Sequence, residues 1–190
     1  MFQADLGRRI SSQEGSYPLS SGSIDQLLTE NSLNPKIVGT TSLFGNLNDF
    51  VVGLDFSQSK FLTGTSNIRK QQVASWYGRS KIFVSEDIKT ILGGRTANSK
   101  DTLLNGTQSE HDLNAFELGL EKSFDDQILS LRLDQNYRIA TLDEQVRYPA
   151  PDYTAVDTPI APQNGNSVEL GWKSGNYYTS IYYLTNNDEI

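Results

Sequence analysis

The chain has 190 residues, 36% of them hydrophobic, with 16 basic against 23 acidic side chains and a formal net charge of −7. That acidic balance argues against a nucleic-acid binder, whose phosphate contacts ask for a basic stripe, and zero cysteines exclude disulfides, thiolate catalysis and the common structural zinc sites. With a mean hydropathy of −0.46, no run approaches the ~18 apolar residues of a membrane helix. A transmembrane β-barrel escapes that last test, because only alternate residues of its strands face lipid.

Taken in order, Met1 to Asn34 is Ser-rich, carries Pro18 and Gly22, and is expected to be irregular, with at most a turn or two of helix over Ile24 to Glu30. No function is placed on it. From Lys36 the pattern changes: KIVGTTSLFGN reads as a strand, Asn46 to Asn48 as a short turn, and DFVVGLDFSQSKF as the return strand. In that return Phe50, Val52, Leu54 and Phe56 share one face while Val51, Gly53, Asp55 and Ser57 share the other. A polar loop is expected over Leu62 to Gln71. Two strands follow, QQVASWYGRSKIFV and IKTILGGRTA, joined near Ser85 to Asp87, and then a longer loop over Asn98 to Asp112.

The clearest element is Asn114 to Arg138. Phe116, Leu118 and Leu120 alternate with Glu117, Gly119 and Glu121; Asp125-Asp126 turns the chain; Leu129, Leu131 and Leu133 alternate with Ser130, Arg132 and Asp134. Each strand of this hairpin runs about a dozen residues where ordinary strands average ~5–6. At ~3.3 Å per residue and ~45° tilt it climbs roughly 28 Å, close to the ~25 Å apolar band of a membrane barrel. A long irregular piece over Ile139 to Asn166 precedes a last hairpin, SVELGWKS, Gly175, NYYTSIYYLTNND. All six prolines are expected outside the strands, as ladder pairing requires. Short and long connections alternate along the chain, as they do in outer-membrane barrels. The predicted fold is an all-β antiparallel meander of about eight strands, part of a transmembrane β-barrel over residues 35–190, after an irregular segment over 1–34.

Gly53, Gly119 and Gly171 fall on the polar faces of their strands, where glycine permits tight coiling or a close approach. Trp76, Tyr77, Tyr137, Trp172, Tyr177 and Tyr178 lie near strand ends and are candidates for an aromatic girdle.

Four motifs in a fixed order resemble the barrel of TonB-dependent outer-membrane receptors. They are SLFGNLNDFVVGLDFSQSKF, then SWYGRSKIFVSEDIKTILGGRTANSKD, then NYRIATLDE, similar to the family's FRxPxxDE segment but departing at Ile139-Ala140, and finally PQNGNSVELGWKSGNYYTSIYYLTNNDEI. In the last, Pro162, Gln163, Glu169, Gly171, Tyr182, Asp188, Glu189 and Ile190 match the family pattern. The resemblance spans roughly Lys36 to Ile190. It implies a bacterial outer-membrane receptor that takes up a ferric siderophore or another metal chelate, driven by the TonB complex through a plug domain. No plug, energy-coupling box or secretory leader is read in this sequence, so the resemblance also implies an interior piece of a longer receptor.

For chemistry, His111 is the one histidine, and its Glu110-His111-Asp112 setting reads as a solvated loop rather than a triad or a metal site. Glu117 and Glu121 form a carboxylate pair on one strand face, and lumenal charges balanced by Arg132 and Lys173 account for them more simply than glycosidic catalysis. Gly93-Gly94 lacks the lysine and helix of a phosphate loop. No enzyme activity, cofactor, metal or individual ligand-binding residue is assigned; ligand contacts are expected on the loops over Asn98 to Asp112 and Ile139 to Asn166 and on the lumen face below them. The expected partners are the outer-membrane bilayer, the TonB complex and a small molecule, without nucleic acid. Two other architectures stay open at this point: a complete eight-stranded outer-membrane barrel and a soluble β-sandwich binding module.

Overall fold

A computed structural model of the chain describes residues 1–16, 23–63, 67–104, 106–147, 149 and 156–187. Its strands are β1 (Phe2–Ser16), β2 (Ser23–Leu43), β3 (Asn46–Thr63), β4 (Asn67–Phe83), β5 (Ile88–Thr102), β6 (Gln108–Phe124), β7 (Gln127–Arg138), β8 (Val146–Arg147), β9 (Val156–Asp157), β10 (Gln163–Ser174) and β11 (Tyr177–Asn187). Nine of them form one antiparallel meander in the order β1-β2-β3-β4-β5-β6-β7-β10-β11, and β8 pairs only with β9. Among the described residues no ladder joins β1 to β11, so the ribbon is open.

Short turns close one rim, four residues long between β4 and β5 and two residues long at the other three. Phe44-Gly45 and Asp125-Asp126 place Phe44 (φ 52°), Gly45 (φ 82°) and Asp125 (φ 49°) in the left-handed region that twisted hairpins demand, and Gly175 (φ 53°) does the same before β11.

Directly opposed residues of neighbouring strands share a face. One row runs Ile37, Val52, Gly78, Gly94, Phe116 and Gln135, and the face it belongs to carries Leu54, Trp76, Leu92, Leu118, Leu131, Val168, Leu170 and Ile181. Leu118, Leu131 and Leu170 keep 42%, 41% and 49% of their surface exposed. In a soluble sandwich these side chains would be the dry interior. Here they form an uncovered apolar band on a single sheet, which rules out the sandwich reading.

The band also slopes. The row from Val52, within the apolar run of β3, reaches Gln135 on β7, four residues beyond Leu131 at the centre of that strand's apolar run. Four residues at ~3.3 Å against four strand spacings at ~4.8 Å gives a tilt of about 35°, within the ~35–45° of membrane barrels.

The opposite face is polar and faces the lumen. On it Gly53 lies under the ring of Tyr77: a Cβ there would meet the Tyr77 hydroxyl at 2.5 Å and Cζ at 2.6 Å. Gly171 is covered in the same way by Tyr178, whose hydroxyl lies 3.0 Å from the position of a Cβ. The close approach expected of these glycines is therefore made by tyrosine rings of the neighbouring strand.

Several sequence expectations change. Met1 to Asn34 is not irregular where it is described: it supplies β1 and most of β2, paired over Phe2↔Ile37 to Ser16↔Ser23. From Arg8 to Gln13 and from Thr29 to Asn34 nearly every residue is polar, which hides the alternation, and the strands persist because each backbone is paired with its neighbour. The eight strands expected after the first segment are present as β2 to β7, β10 and β11, and β1 adds a ninth to the meander.

Pro35 lies inside β2, contrary to the expectation for all six prolines. The β2–β3 ladder is interrupted there, passing from Leu33↔Phe56 to Lys36↔Gly53, because proline has no N–H to donate. The loops expected over Leu62 to Gln71 and Asn98 to Asp112 are mostly strand, since β3 reaches Thr63 and β5 reaches Thr102. Of the girdle candidates, Trp76, Trp172 and Tyr177 face outward, whereas Tyr77 and Tyr178 point into the lumen over the glycines. Pro18, Gly22, Pro151, Asp188, Glu189 and Ile190 lie outside the described residues.

Candidate functional site

The lumen face carries a belt of ion pairs spread over neighbouring strands. Arg95 on β5 donates through Nη2 to Asp55 Oδ2 of β3 at 2.8 Å and to Ser75 Oγ of β4 at 2.9 Å. Arg79 on β4 reaches across β5 to Glu117 on β6, with Nε to Oε2 at 2.8 Å and Nη2 to Oε1 at 3.3 Å, a two-pronged contact. Arg132 on β7 lies 3.4 Å from the same carboxylate and 2.9 Å from Asp134 Oδ2. Lys81 and Glu121 stand 3.8 Å apart nearer the short-turn rim. Tyr178 of β11 donates to Glu169 of β10 at 2.8 Å.

A cleft of about 610 Å³ opens beside this belt, lined by Asp55, Tyr77, Arg79, Arg95, Glu117, Arg132, Asp134 and Tyr182 among others. Its position follows from a fork in the wall. The β6–β7 ladder ends at Phe116↔Gln135, yet β6 stays paired with β5 as far as Gln108 and β7 with β10 as far as Arg138. Ala115, Phe116, Gln135 and Asn136 line the cleft at that fork.

Toward the other rim the connection between β7 and β10 folds back onto the lumen wall. Gln71 of β4 donates to the Ala140 carbonyl at 2.9 Å, Gln145 donates to Asp101 Oδ2 of β5 at 2.9 Å, and Arg69 Nε of β4 donates to Asp157 Oδ1 at 2.6 Å. Asp157 also accepts from the Leu104 amide at 2.7 Å. Ala140 and Leu142 are buried, as are the wall residues Phe61, Ala97 and Leu113. These form the small apolar core at this end.

The connection's first turn is fastened by Glu144, which accepts from the Thr141 amide at 2.8 Å, from the Thr141 hydroxyl at 3.0 Å and from the Arg138 guanidinium. Burial pushes the Glu144 carboxyl up, but these donors outweigh it and hold it below the ordinary glutamate value.

The sequence candidates fall as follows. His111 sits on β6 rather than in a loop, with its Nε2 at 2.8 Å from Ser109 Oγ. Glu117 and Glu121 do share the lumen face. Glu117 is balanced by Arg132, as expected, and more closely by Arg79, whose role was missed because its strand lies two away. Glu121 has Lys81 at 3.8 Å rather than the expected Lys173, and Glu169 accepts from the Tyr178 hydroxyl. Gly93 and Gly94 are ordinary strand residues. Among the described residues no group of three or more His, Cys, Asp or Glu side chains is placed to hold a metal. What the belt offers chemically is a pre-organised lattice of alternating charge able to meet polar groups inside a lumen.

No family model matches the chain, and no curated relative does. Solved structures match it over almost its whole length. The ferripyoverdine receptor of the outer membrane of Pseudomonas aeruginosa, bound to ferripyoverdine, aligns at a TM-score of 0.72 and 15% identity, covering 96% of this chain and 30% of that one. The alcaligin outer-membrane receptor of Bordetella pertussis aligns at 0.67 and 14%, covering 97% and 33%. The ferric yersiniabactin uptake receptor of Yersinia pestis aligns at 0.68 and 13%, covering 99% and 33%. The chain thus spans about a third of the length of the receptors it matches. In fold it matches a run of wall strands of these outer-membrane receptors.

Proposed function

We propose that the chain is part of the barrel of a TonB-dependent receptor in the bacterial outer membrane, and that this receptor takes up a scarce nutrient as a ferric siderophore or another metal chelate. The observation that carries the reading is the two-faced wall: a sloping, uncovered apolar band outside and a belt of cross-strand ion pairs inside. Support comes from the shared fold of receptors described as binding or importing ferric chelates. The wall acts by holding shape, with no bond made or broken on it. Its lumenal charges meet a plug domain and, beside the fork between β6 and β7, the polar rim of a ligand in transit. Energy comes from the TonB complex through that plug.

Growth on iron-limited medium supplied with single ferric chelates tests the reading. Disrupting the gene should abolish growth on at least one chelate while leaving growth on free iron intact. Unchanged growth on every chelate of iron and of other metals would overturn it.

A further inference from the structure

The fork in the wall opens where the outward face stops being apolar. Phe116, the last outward apolar residue of β6, is opposite Gln135 in the final pair of the β6–β7 ladder. Beyond it the outward residues are Asn114 and Asp112 on β6, with Asn166 of β10 beside Gln135. That change marks the upper edge of the hydrocarbon, so the opening lies at headgroup level.

Past the fork β6 runs on from Ala115 to Gln108 with β5 as its ladder partner. Its other edge makes no backbone hydrogen bond among the described residues. Such an edge is costly in hydrocarbon and tolerated where polar groups reach it.

On the lumen side the fork leads into the cleft of about 610 Å³, whose lining includes Ala115, Asn136, Arg95 and Asp55. Pockets of that size hold small ligands. Arg95 spends one nitrogen, Nη2, on both Asp55 and Ser75, which leaves Nε and Nη1 to donate. Tyr137, next to Asn136, lies within the electrostatic reach of Arg95 and Asp55. Its hydroxyl is buried with no hydrogen-bond partner among the described residues.

On the outer side, Gly94 and Gly78 stand in the same row as Phe116. A Cβ at Gly94 would meet nothing closer than the Ala115 carbonyl at 4.0 Å, and one at Gly78 nothing closer than 3.9 Å. The two glycines leave a bare notch in the apolar band, between Val52 and Phe116, that ends at the fork.

We propose that the fork is a side entrance from the outer leaflet for an amphiphilic ligand, a chelate whose acceptor-rich head carries one acyl chain. The head passes between β6 and β7 to Arg95 and the Tyr137 hydroxyl, while the chain stays in lipid along the glycine notch. The ligand class rests on the receptor reading above; the entrance stands apart from it.

The test uses the full receptor carrying this chain, folded in phosphatidylcholine vesicles. A single cysteine is placed at Asn136 in the cleft, or at Glu121 on the lumen face near the short turns. Each is labelled with N-dodecylmaleimide, held in the bilayer by its chain, and with water-borne N-ethylmaleimide as the standard. The modified peptide is counted by mass spectrometry. The dodecyl rate relative to the ethyl rate should be about tenfold higher at Asn136→Cys than at Glu121→Cys, and should fall to parity when Ala115→Trp fills the fork. Gly94→Leu adds its side chain into open space, so it folds, and should lower the ratio as well. Equal relative rates at the two positions, or a preference that survives either substitution, would overturn the entrance. A ferric hydroxamate bearing a dodecanoyl chain should slow the labelling of Asn136→Cys at concentrations where its unacylated parent and dodecanol do not. Protection by dodecanol as strong as by the acylated chelate, or protection by neither, would overturn the chelate as occupant. Growth on single ferric chelates, which tests the receptor reading, depends on none of these results.

Discussion

Replacing Asp157 with alanine asks whether the β7–β10 connection is fastened to the wall by its buried ion pair. Arg69 is fully buried, and its guanidinium has two partners, Asp157 Oδ1 at 2.6 Å and Thr63 Oγ1 at 3.2 Å. Removing one member of a buried pair leaves the other charge uncompensated at a cost of ~3–5 kcal/mol. The Leu104 amide also loses its acceptor, but Leu104 is 37% exposed and water replaces that bond. Arg69 regains solvent only when the connection lifts, so the cost is expressed as undocking. At ~1.4 kcal/mol per tenfold, even the lower figure raises the open population by about a hundredfold. Amide hydrogen exchange at Thr158, which donates to the Gln145 carbonyl at 2.8 Å and not to Asp157, reads that opening. Asp157→Asn keeps one acceptor oxygen without the charge and should fall between. Exchange at Thr158 within about threefold of wild type in Asp157→Ala would show that the apolar contacts of Ala140 and Leu142 hold the connection alone.

The other expectations concern the wall and the first turn beyond it. Leu118→Arg, in the middle of the outward band, should cost ~2–4 kcal/mol in the free energy of folding into vesicles, and Asn114→Arg, four residues toward the rim, only ~0–1 kcal/mol; equal costs would contradict the band. Gly53→Val places a Cβ 2.5 Å from the Tyr77 hydroxyl, so the ring must leave, costing ~1–3 kcal/mol by thermal melting; adding Tyr77→Ala should return part of that loss, and no return would refute the covering role. For Glu144 the folded value lies below the ordinary 4.5. Its contribution is thus complete above 4.5 and is lost as pH falls through the lower folded value. Protection of the Thr141 amide, corrected for intrinsic exchange, should decline over that range, and a flat profile would oppose the assignment.

The membrane-facing half of the fold was legible because lipid enforces strict alternation. FELGLEK and SLRLD show period two without ambiguity, and their hairpin was placed correctly at Asp125-Asp126. Legibility stopped where the apolar band stops. In TENS and SKDT both faces are polar, so no period marks the strand, and only pairing with a neighbour keeps the backbone extended. β1, the first part of β2 and the rim ends of β3 and β5 were missed for that reason.

The ion-pair belt was half visible. Glu117 and Arg132 are read from their own hairpin, whereas Arg79 reaches Glu117 across an intervening strand whose register no local pattern supplies. The inward fold of the β7–β10 connection depends on contacts between residues as far apart as Arg69 and Asp157, and only the run of prolines signalled that the segment was not strand.

The central claim is that alternate residues of the long strands face hydrocarbon and lumen. Because the chain has no cysteine, single cysteines can be placed one at a time along β6 and spin-labelled in reconstituted membranes. Labels at Phe116, Leu118 and Leu120 should collide preferentially with dissolved oxygen, and labels at Glu117, Gly119 and Glu121 with a water-soluble nickel chelate. A two-residue oscillation in that ratio is the predicted result; uniform access to the chelate on both sets, or burial of the even-numbered positions from both reagents, would contradict it.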